Sequence, residues 1–594
     1  GNHNMGQPYC LNIEDGIYKL GDLNLMFHNQ DTIAYPPVDP QHPAKPFFTG
    51  TIMQSLDVDG EQRRFLLYIP QRFPISGAGF FIYPDDNVSC DAFLEQGPWR
   101  SIAEELNAAL IILESHPQGW DRVHIQKEVD YSEAVFKKAI SRVYFSLNEA
   151  TYYIMGIGGG AYPATAYGLL NPTLFSCILA DGDYQLAPEL LQQLREIQSD
   201  RDATRSKLDV IMPAWLVQRK ETEYDEVLNS LLQANQSLDM GLTWNGTRVY
   251  QQDPRRWQTN LDALPISEIR STDIEHAAAM NSDDLHREQM CFALRFKRWM
   301  SIGNGCFRAA RTYQDMGLKR FEADIDGLRR EWYVYEPSIH QRAPEKSLPL
   351  LLAIHGYSCT GELFAENSEW HVVGERRDFF VVYVSAYPSN KSFDGRTVPL
   401  PTWNSIGMCS DTDDIHYIQE VLRDVESKYP IDTERIYVSG HSNGSLFTQT
   451  LMKEMPCTFA AFAPQGAQMH MTLNTSTDLD ARTIQPDGII RPVWLMMGSE
   501  DIGDRDRIES GNANDRFLNM MCAVNNLDRN RADYLENGKY HTYTFRSHDG
   551  VPLLRFSGIE DTPHTYTQEF AQIYWDQFLC HFRRKADGSI MYTD

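Results

Sequence analysis

Three residue types in a fixed chain order carry the chemistry this sequence offers: Ser442, an acid near 501, and His564. Ser442 sits in Gly440-His-Ser-Asn-Gly444, a Gly-x-Ser-x-Gly pattern between the apolar run 435–438 and a helical pattern from Leu446 to Met455. A strand that turns sharply into a helix crowds its own backbone, so small residues flank a serine whose hydroxyl must project from the end of a sheet. A serine hydroxyl is a weak nucleophile at neutral pH and needs a histidine base, itself oriented by a carboxylate. The chemistry to expect is acyl transfer.

The acid follows the apolar strand 493–497, in Gly498-Ser-Glu-Asp501, at a strand C-terminus where α/β sites form. Asp501 ranks first, with Glu500, Asp504 and Asp506 as rivals on the same acidic loop. For the base, His564 precedes the helical pattern 568–578. His548 is the alternative, but Ser-His-Asp-Gly reads as a hairpin turn between strands 540–546 and 551–556. The oxyanion of acyl transfer needs backbone N–H donors. Asn443, after the nucleophile, is one; Tyr357 or Ser358, in the loop after the apolar strand ending His355-Gly, is the other, with His355 structural. A glycan on Asn443-Gly-Ser445 would block this turn, so that sequon is not read as a glycosylation site.

The elements that must position these residues are short continuous apolar strands (348–354, 379–384, 435–438, 493–497) alternating with helical patterns such as 413–429. Strands apolar on both faces imply a parallel sheet covered on both sides. The chain also repeats itself. Asp57-Val-Asp-Gly-Glu-Gln-Arg-Arg-Phe-Leu-Leu-Tyr-Ile-Pro70 returns as Asp324-Ile-Asp-Gly-Leu-Arg-Arg-Glu-Trp-Tyr-Val-Tyr-Glu-Pro337, in each case an Asp-Gly turn feeding a strand. A calcium loop would need further oxygen ligands that neither copy supplies. In the same order, 99–113 matches 370–384, 153–160 matches 437–444, 213–217 matches 492–496, and His286 matches His564. A period near 270 residues means a duplicated domain, since solenoid periods run from about 20 to 50. Two doubly wound α/β domains are expected: an extension over 1–47, a first domain over 48–305 and a second over 316–594, with the boundary in 301–316.

Composition narrows the partners. The 594 residues are 42% apolar and 23% charged, as in ordinary globular chains, and exceed the roughly 150 typical of one domain. With 81 acidic and 54 basic residues the net charge is −27, which repels nucleic acid and anionic lipid, so neither is expected as a partner. No apolar run approaches the roughly 20 residues of a membrane span, and the opening Gly-Asn-His-Asn-Met shows no leader. Ten cysteines without a Cys-x-x-Cys pair argue against structural zinc; Cys177, Cys291, Cys522 and Cys580 lie in apolar runs and read as small buried side chains. No metal or organic cofactor is implied.

The HGYSCTG loop, Thr402 to Ile418 (TWNSIGMCSDTDDIHYI), GHSNGS, GSED and the late histidine together resemble the polyhydroxybutyrate depolymerase and feruloyl esterase group of α/β-hydrolases, over about residues 318–585. The resemblance implies two tandem α/β-hydrolase domains, a serine esterase acting on feruloyl, carbohydrate-linked or short polyester substrates, export from the cytoplasm, and a Cys359–Cys409 disulfide. The sequence departs from that group at Tyr357-Ser358, where a cysteine often follows His-Gly, and at Ser445, where a second glycine often stands. Prolyl-oligopeptidase-like peptidases use the same triad order, but no propeller periodicity is present. A polymer-binding protein with a Trp- and Tyr-lined groove is the non-enzymatic alternative.

The first copy lacks the chemistry. Gly158 stands at the nucleophile position, the strand 79–83 runs into Pro84-Asp-Asp-Asn instead of His-Gly, and Gln218-Arg-Lys220 replaces the acid loop. A catalytically dead domain is expected, with substrate binding, closure over the site, homodimerisation or simple packing as its open roles.

Overall fold

A computed structural model describes residues 17–18, 25–28, 35, 37–199, 205–252, 267–299, 306–389, 391, 396–405, 410–471 and 479–594. The chain divides into two units, one of Gly1–Pro37, Ala44–Ala310 and Arg396–Val398, the other of Val38–Pro43, Arg311–Gly395 and Pro399–Asp594. Most of the 1–47 extension lies outside the described residues.

The second unit is built on a ten-stranded sheet. Its spatial order is Leu318–Ile325, Leu328–Tyr335, Phe380–Val384, Leu348–Ile354, Ile431–His441, Ala461–Gln465, Val493–Gly498, Pro552–Ile559, Tyr540–Arg546 and Ala532–Asn537. The strands from Phe380–Val384 to Pro552–Ile559 are parallel, and an antiparallel pair closes each edge. Along Leu348–Ile354, Leu350, Leu352 and Ile354 enter one apolar cluster while Leu351 and Ala353 enter the other, so both sheet faces are buried. That is why these strands read as unbroken apolar runs.

The first unit has a twelve-stranded sheet whose last ten strands repeat this order, from Gly50–Val58 and Glu61–Ile69 to Thr247–Gln252 and Ser237–Thr243. Two strands, Ile17–Tyr18 and Leu25–His28, add to its edge. The repeated Asp-Gly sequences form matching hairpins: Asp59 and Gly60 have φ of 52° and 82°, Asp326 and Gly327 of 55° and 79°, the two left-handed residues of a tight turn. Helices Trp99–Leu106 and Trp370–Arg377 occupy equivalent places. The expected helix 413–429 runs Asp414–Lys428, with the Asp413 carboxylate accepting the His416 N–H at 3.0 Å. Cys177 and Cys522 are buried, whereas Cys291 and Cys580 are only partly so, which corrects the sequence reading for those two. No helix among the described residues is long and apolar enough to cross a membrane.

Each unit also buries an arginine–carboxylate pair at the same place. Arg330 donates to Asp414 at 2.9 Å and stacks 3.6 Å above the Tyr417 ring; Arg63 donates to Glu128 at 3.2 Å and stacks 3.6 Å above Tyr131. All four charged side chains are at most 6% exposed. Burial pushes both acids above the usual carboxylate range, and the arginines oppose it. In the second unit the pair reaches the site, because the other Asp414 oxygen accepts the Asn404 N–H at 2.8 Å and so fixes the 402–405 segment. Removing one partner of a buried pair strands the other charge. Asp414→Ala and Glu128→Ala are each expected to cost about 3–5 kcal/mol in denaturant unfolding followed by fluorescence; a loss under about 1 kcal/mol would show the pair to be incidental.

Candidate active site

Ser442 lies where strand Ile431–His441, in the middle of the parallel sheet, meets helix Asn443–Glu454. Its backbone sits at φ 57°, ψ −118°, a conformation L-residues rarely adopt. The flanking glycines make this turn sterically possible. A Cβ on Gly440 would lie 2.1 Å from the Gly444 carbonyl oxygen, and one on Gly444 would lie 2.4 Å from the carbonyl oxygens of both Ile354 and His355. The Ser442 N–H donates to the Gln465 carbonyl at 2.9 Å, tying the turn to the next strand.

The structure brings Ser442, His564 and Asp501 together. His564 Nε2 is 2.7 Å from Ser442 Oγ, and His564 Nδ1 is 2.5 Å from Asp501 Oδ1. With Nδ1–H donating to the carboxylate, Nε2 is left to accept the serine proton. The Asp501 side chain is fully buried; Oδ1 also accepts the Ile502 N–H at 2.7 Å, and Oδ2 meets no donor among the described residues. The acid and base loops approach closely enough that a Cβ on Gly498 would sit 2.1 Å from the Thr562 carbonyl oxygen. The rivals are occupied elsewhere: Glu500 is exposed, Asp504 accepts the Ala513 N–H at 3.0 Å, Asp506 packs against Gly558, and His548 is exposed on its hairpin turn.

The oxyanion candidates separate. Asn443 opens the helix, where backbone N–H groups have no intrahelical acceptor. The 355–358 loop faces the elbow, since a Cβ on Gly356 would come 3.3 Å from Ser442 Cβ. Ser358, however, spends its N–H on the Pro401 carbonyl at 3.0 Å, which removes it as a donor. His355 is wholly buried, with Nδ1 2.6 Å from the Gly356 carbonyl oxygen and Nε2 accepting the Ala386 N–H at 3.0 Å. Its role is structural.

Two supports were not read from the sequence. Trp403 donates its N–H to Asn443 Oδ1 at 2.7 Å and its indole N–H to the His355 carbonyl at 2.8 Å, bracing elbow and oxyanion loop at once. His441 Nδ1 lies 2.6 Å from Gln465 Oε1, and its ring packs 4.7 Å from that of His564; burial and the adjacent His564 push it down to about 3, so it stays neutral beside the base. Of the two, only Trp403 had a sequence signal, the Trp403-Asn404 segment itself; nothing marks Gln465. Cys409 lies outside the described residues, and with it the Cys359–Cys409 pairing.

No family model matches the chain. It is 31% identical over 138 residues to a bifunctional acetylxylan esterase/xylanase of Neocallimastix patriciarum (23% of this chain, 18% of that one). It is 30% identical over 120 residues to poly(3-hydroxyalkanoate) depolymerase C of Paucimonas lemoignei (20% and 27%), and 27% over 129 residues to acetylxylan esterase A of Aspergillus ficuum (22% and 39%). The chain thus spans between about a fifth and two fifths of the length of these relatives. Over part of its length, the chain is thus similar to acetylxylan esterases and to a poly(3-hydroxyalkanoate) depolymerase. Among solved structures it is similar to an acetyl xylan esterase from Aspergillus awamori (TM-score 0.29, 16% identity, 42% of this chain and 94% of that one). A ferulic acid esterase gives a TM-score of 0.30 at 15% identity, covering 44% and 95%.

In the first unit the matching strand-to-helix turn carries a glycine in place of the serine. Gly158 has φ 58°, and a Cβ on Gly160 would lie 2.2 Å from the carbonyl oxygens of Tyr83 and Pro84, the counterpart of the crowding at Gly444. The vacated place is filled: a Cβ on Gly158 would meet Asp85 Cγ at 2.3 Å, and Asp85 Oδ1 accepts the Gly159 N–H at 2.8 Å. Gly159 matches Asn443, so in the first unit a carboxylate of the chain itself accepts from the matching N–H. His286 bonds Asp181 at 2.8 Å, and Arg219 takes the same carboxylate at 2.6 Å. Against burial, those bonds hold Asp181 below the usual carboxylate range. Cys90, Asp91 and Glu114 come within metal-binding reach of one another, but Arg64 pairs with both acids, at 3.1 and 2.7 Å.

Buried neutral histidines set the acid limit of the second unit. His355 and His470 are both pushed down to about 4 by burial from an ordinary 6.5. A depressed folded-state pKa contributes stability that is complete above 6.5 and is lost as pH falls towards 4, about 1.4 kcal/mol per pH unit for each proton excluded. Urea unfolding across pH 7 to 4 is expected to show this decline, with His470→Gln flattening it; equal stability at pH 7 and 4.5 would contradict it.

Proposed function

We propose that the chain is a serine carboxylic-ester hydrolase whose chemistry resides in the second unit. The observation that carries this reading is the unbroken relay from Asp501 through His564 to Ser442, at 2.5 and 2.7 Å, on a strained elbow. In this mechanism Ser442 Oγ attacks the ester carbonyl as His564 Nε2 takes its proton. Asp501 holds the tautomer and balances the imidazolium, and the backbone N–H groups of Asn443 and Tyr357 receive the oxyanion. His564 then protonates the departing alcohol, and water, activated by the same histidine, releases the acid from the acyl-serine. Acetyl or feruloyl esters on carbohydrate are the first substrate class, in keeping with the acetylxylan esterases the chain is similar to; short polyesters come next.

We read the first unit as catalytically silent, because Gly158 offers no nucleophile and Asp85 occupies the space where one would stand.

Hydrolysis of p-nitrophenyl acetate, methyl ferulate and a chromogenic peptide by wild type and Ser442→Ala tests the assignment. Esters should be cleaved, the peptide spared, and the variant should lose roughly 10³-fold or more in kcat. Ester cleavage untouched in the variant would overturn the nucleophile, and peptide cleavage would favour a peptidase. Gly158→Ser introduced into Ser442→Ala is expected to restore nothing and to lower the thermal midpoint through the clash with Asp85; recovered turnover would show the first site to be intact.

A further inference from the structure

A cavity of 860 Å³ lies in the second unit away from the residues around Ser442, on the sheet edge formed by Ala532–Asn537, Tyr540–Arg546 and Pro552–Ile559 and walled by helix Gln568–Gln577. Its charges are nearly all paired. Arg546 meets Asp533 at 2.8 Å, and Lys539 meets Glu569 at 3.2 Å. Arg555 is the exception. Its guanidinium lies over Trp494 and Phe578, 5.2 and 5.7 Å from the ring centroids, and one N–H donates to the Gln577 carbonyl at 3.0 Å. Nε is buried without a partner, and no carboxylate among the described residues pairs with it.

The duplicated chain supplies its own comparison. In the first unit Arg270 holds the same register, opposite Trp215 as Arg555 is opposite Trp494, with its guanidinium 5.0 Å from that ring. There Glu268, two residues earlier on the same strand, accepts from Arg270 Nε at 2.7 Å. The corresponding residue of the second unit is Leu553. The arginine and its aromatic platform are kept while the acid is gone, and partial burial of the uncompensated charge lowers the Arg555 pKa. A cation held in that way is costly unless something pairs with it.

We propose that this cavity binds a carboxylate-bearing ligand, whose acid group pairs with the Arg555 guanidinium on the cavity wall. A guanidinium presents planar N–H groups that match a carboxylate through two parallel hydrogen bonds. Thr542, Thr544 and Asn537 on the cavity wall offer hydroxyl and amide groups to the body of the ligand, which suits a hydroxylated ring. With three cations against two carboxylates, the cavity is locally positive on a chain of net charge −27, so an anion is drawn to it specifically.

Calorimetric titration of the full-length Ser442→Ala chain with glucuronate, benzoate, glucose and inorganic phosphate tests this without turnover. Glucuronate or benzoate should bind, the stronger of the two telling a sugar acid from an aromatic acid, and glucose should not. Arg555→Met should weaken that binding by about tenfold or more, the loss expected for one charge-assisted pair. Leu553→Glu, which rebuilds the arrangement of the first unit, should do the same, and Arg555→Lys, lacking the fork, should also bind more weakly. In the Ser442 background these changes should leave ester hydrolysis as it was, which reports on folding. Absence of carboxylate binding, tighter binding of phosphate, or affinity unchanged in Arg555→Met would overturn the proposal.

Discussion

The site depends on one backbone conformation, Ser442 at φ 57° and ψ −118°, held between a strand and a helix that all but touch. A conformation of this kind costs on the order of 1–3 kcal/mol and persists only where its surroundings over-determine it. Here they do. The carbonyls of Ile354 and His355 press on Gly444, that of Gly444 presses on Gly440, and the Ser442 N–H is fixed to Gln465 on the neighbouring strand. Trp403 ties the first helical residue to the oxyanion loop, and Asp414, buried against Arg330, ties Asn404 beside it. The relay through His564 has its short distances because these parts leave the serine one place to be.

The first unit keeps a left-handed residue at the same turn with a glycine in place of the serine. Strand order, hairpin turns, the buried arginine–carboxylate pair over a tyrosine ring and the left-handed elbow are all present. Gly158 stands where the serine does in the second unit, and Asp85 lies against it and accepts the next N–H. The corresponding histidine is bonded instead to Asp181, a carboxylate it shares with Arg219. The sheet order and the buried pair therefore recur in both units, whereas the serine–histidine–carboxylate arrangement stands in the second. The same comparison exposes Arg555, where the scaffold kept a cation and lost its acid.

Much of this was legible in the sequence because the signals were local. Apolar runs without alternation marked the parallel strands, Asp-Gly marked both hairpins, and the glycines around Ser442 marked the elbow by the crowding they relieve. Asp501 ranked ahead of Glu500, Asp504 and Asp506 on one acidic loop after the strand, and it is burial that separates them in the structure. What was not legible depends on partners far apart in the chain. Ser358 looked like an oxyanion donor until Pro401 took its N–H, and neither the Asp85 carboxylate at Gly159 nor the Gln465 contact to His441 has any counterpart in residue spacing.

The most direct measurement of the central claim is the intact mass of the protein after reaction with a small fluorophosphonate, followed by peptide mapping. One adduct per chain, on the peptide carrying Ser442 and absent in His564→Ala, is the predicted result. No adduct, an adduct on any other serine, or two adducts per chain would contradict the account of a single working elbow in a duplicated fold.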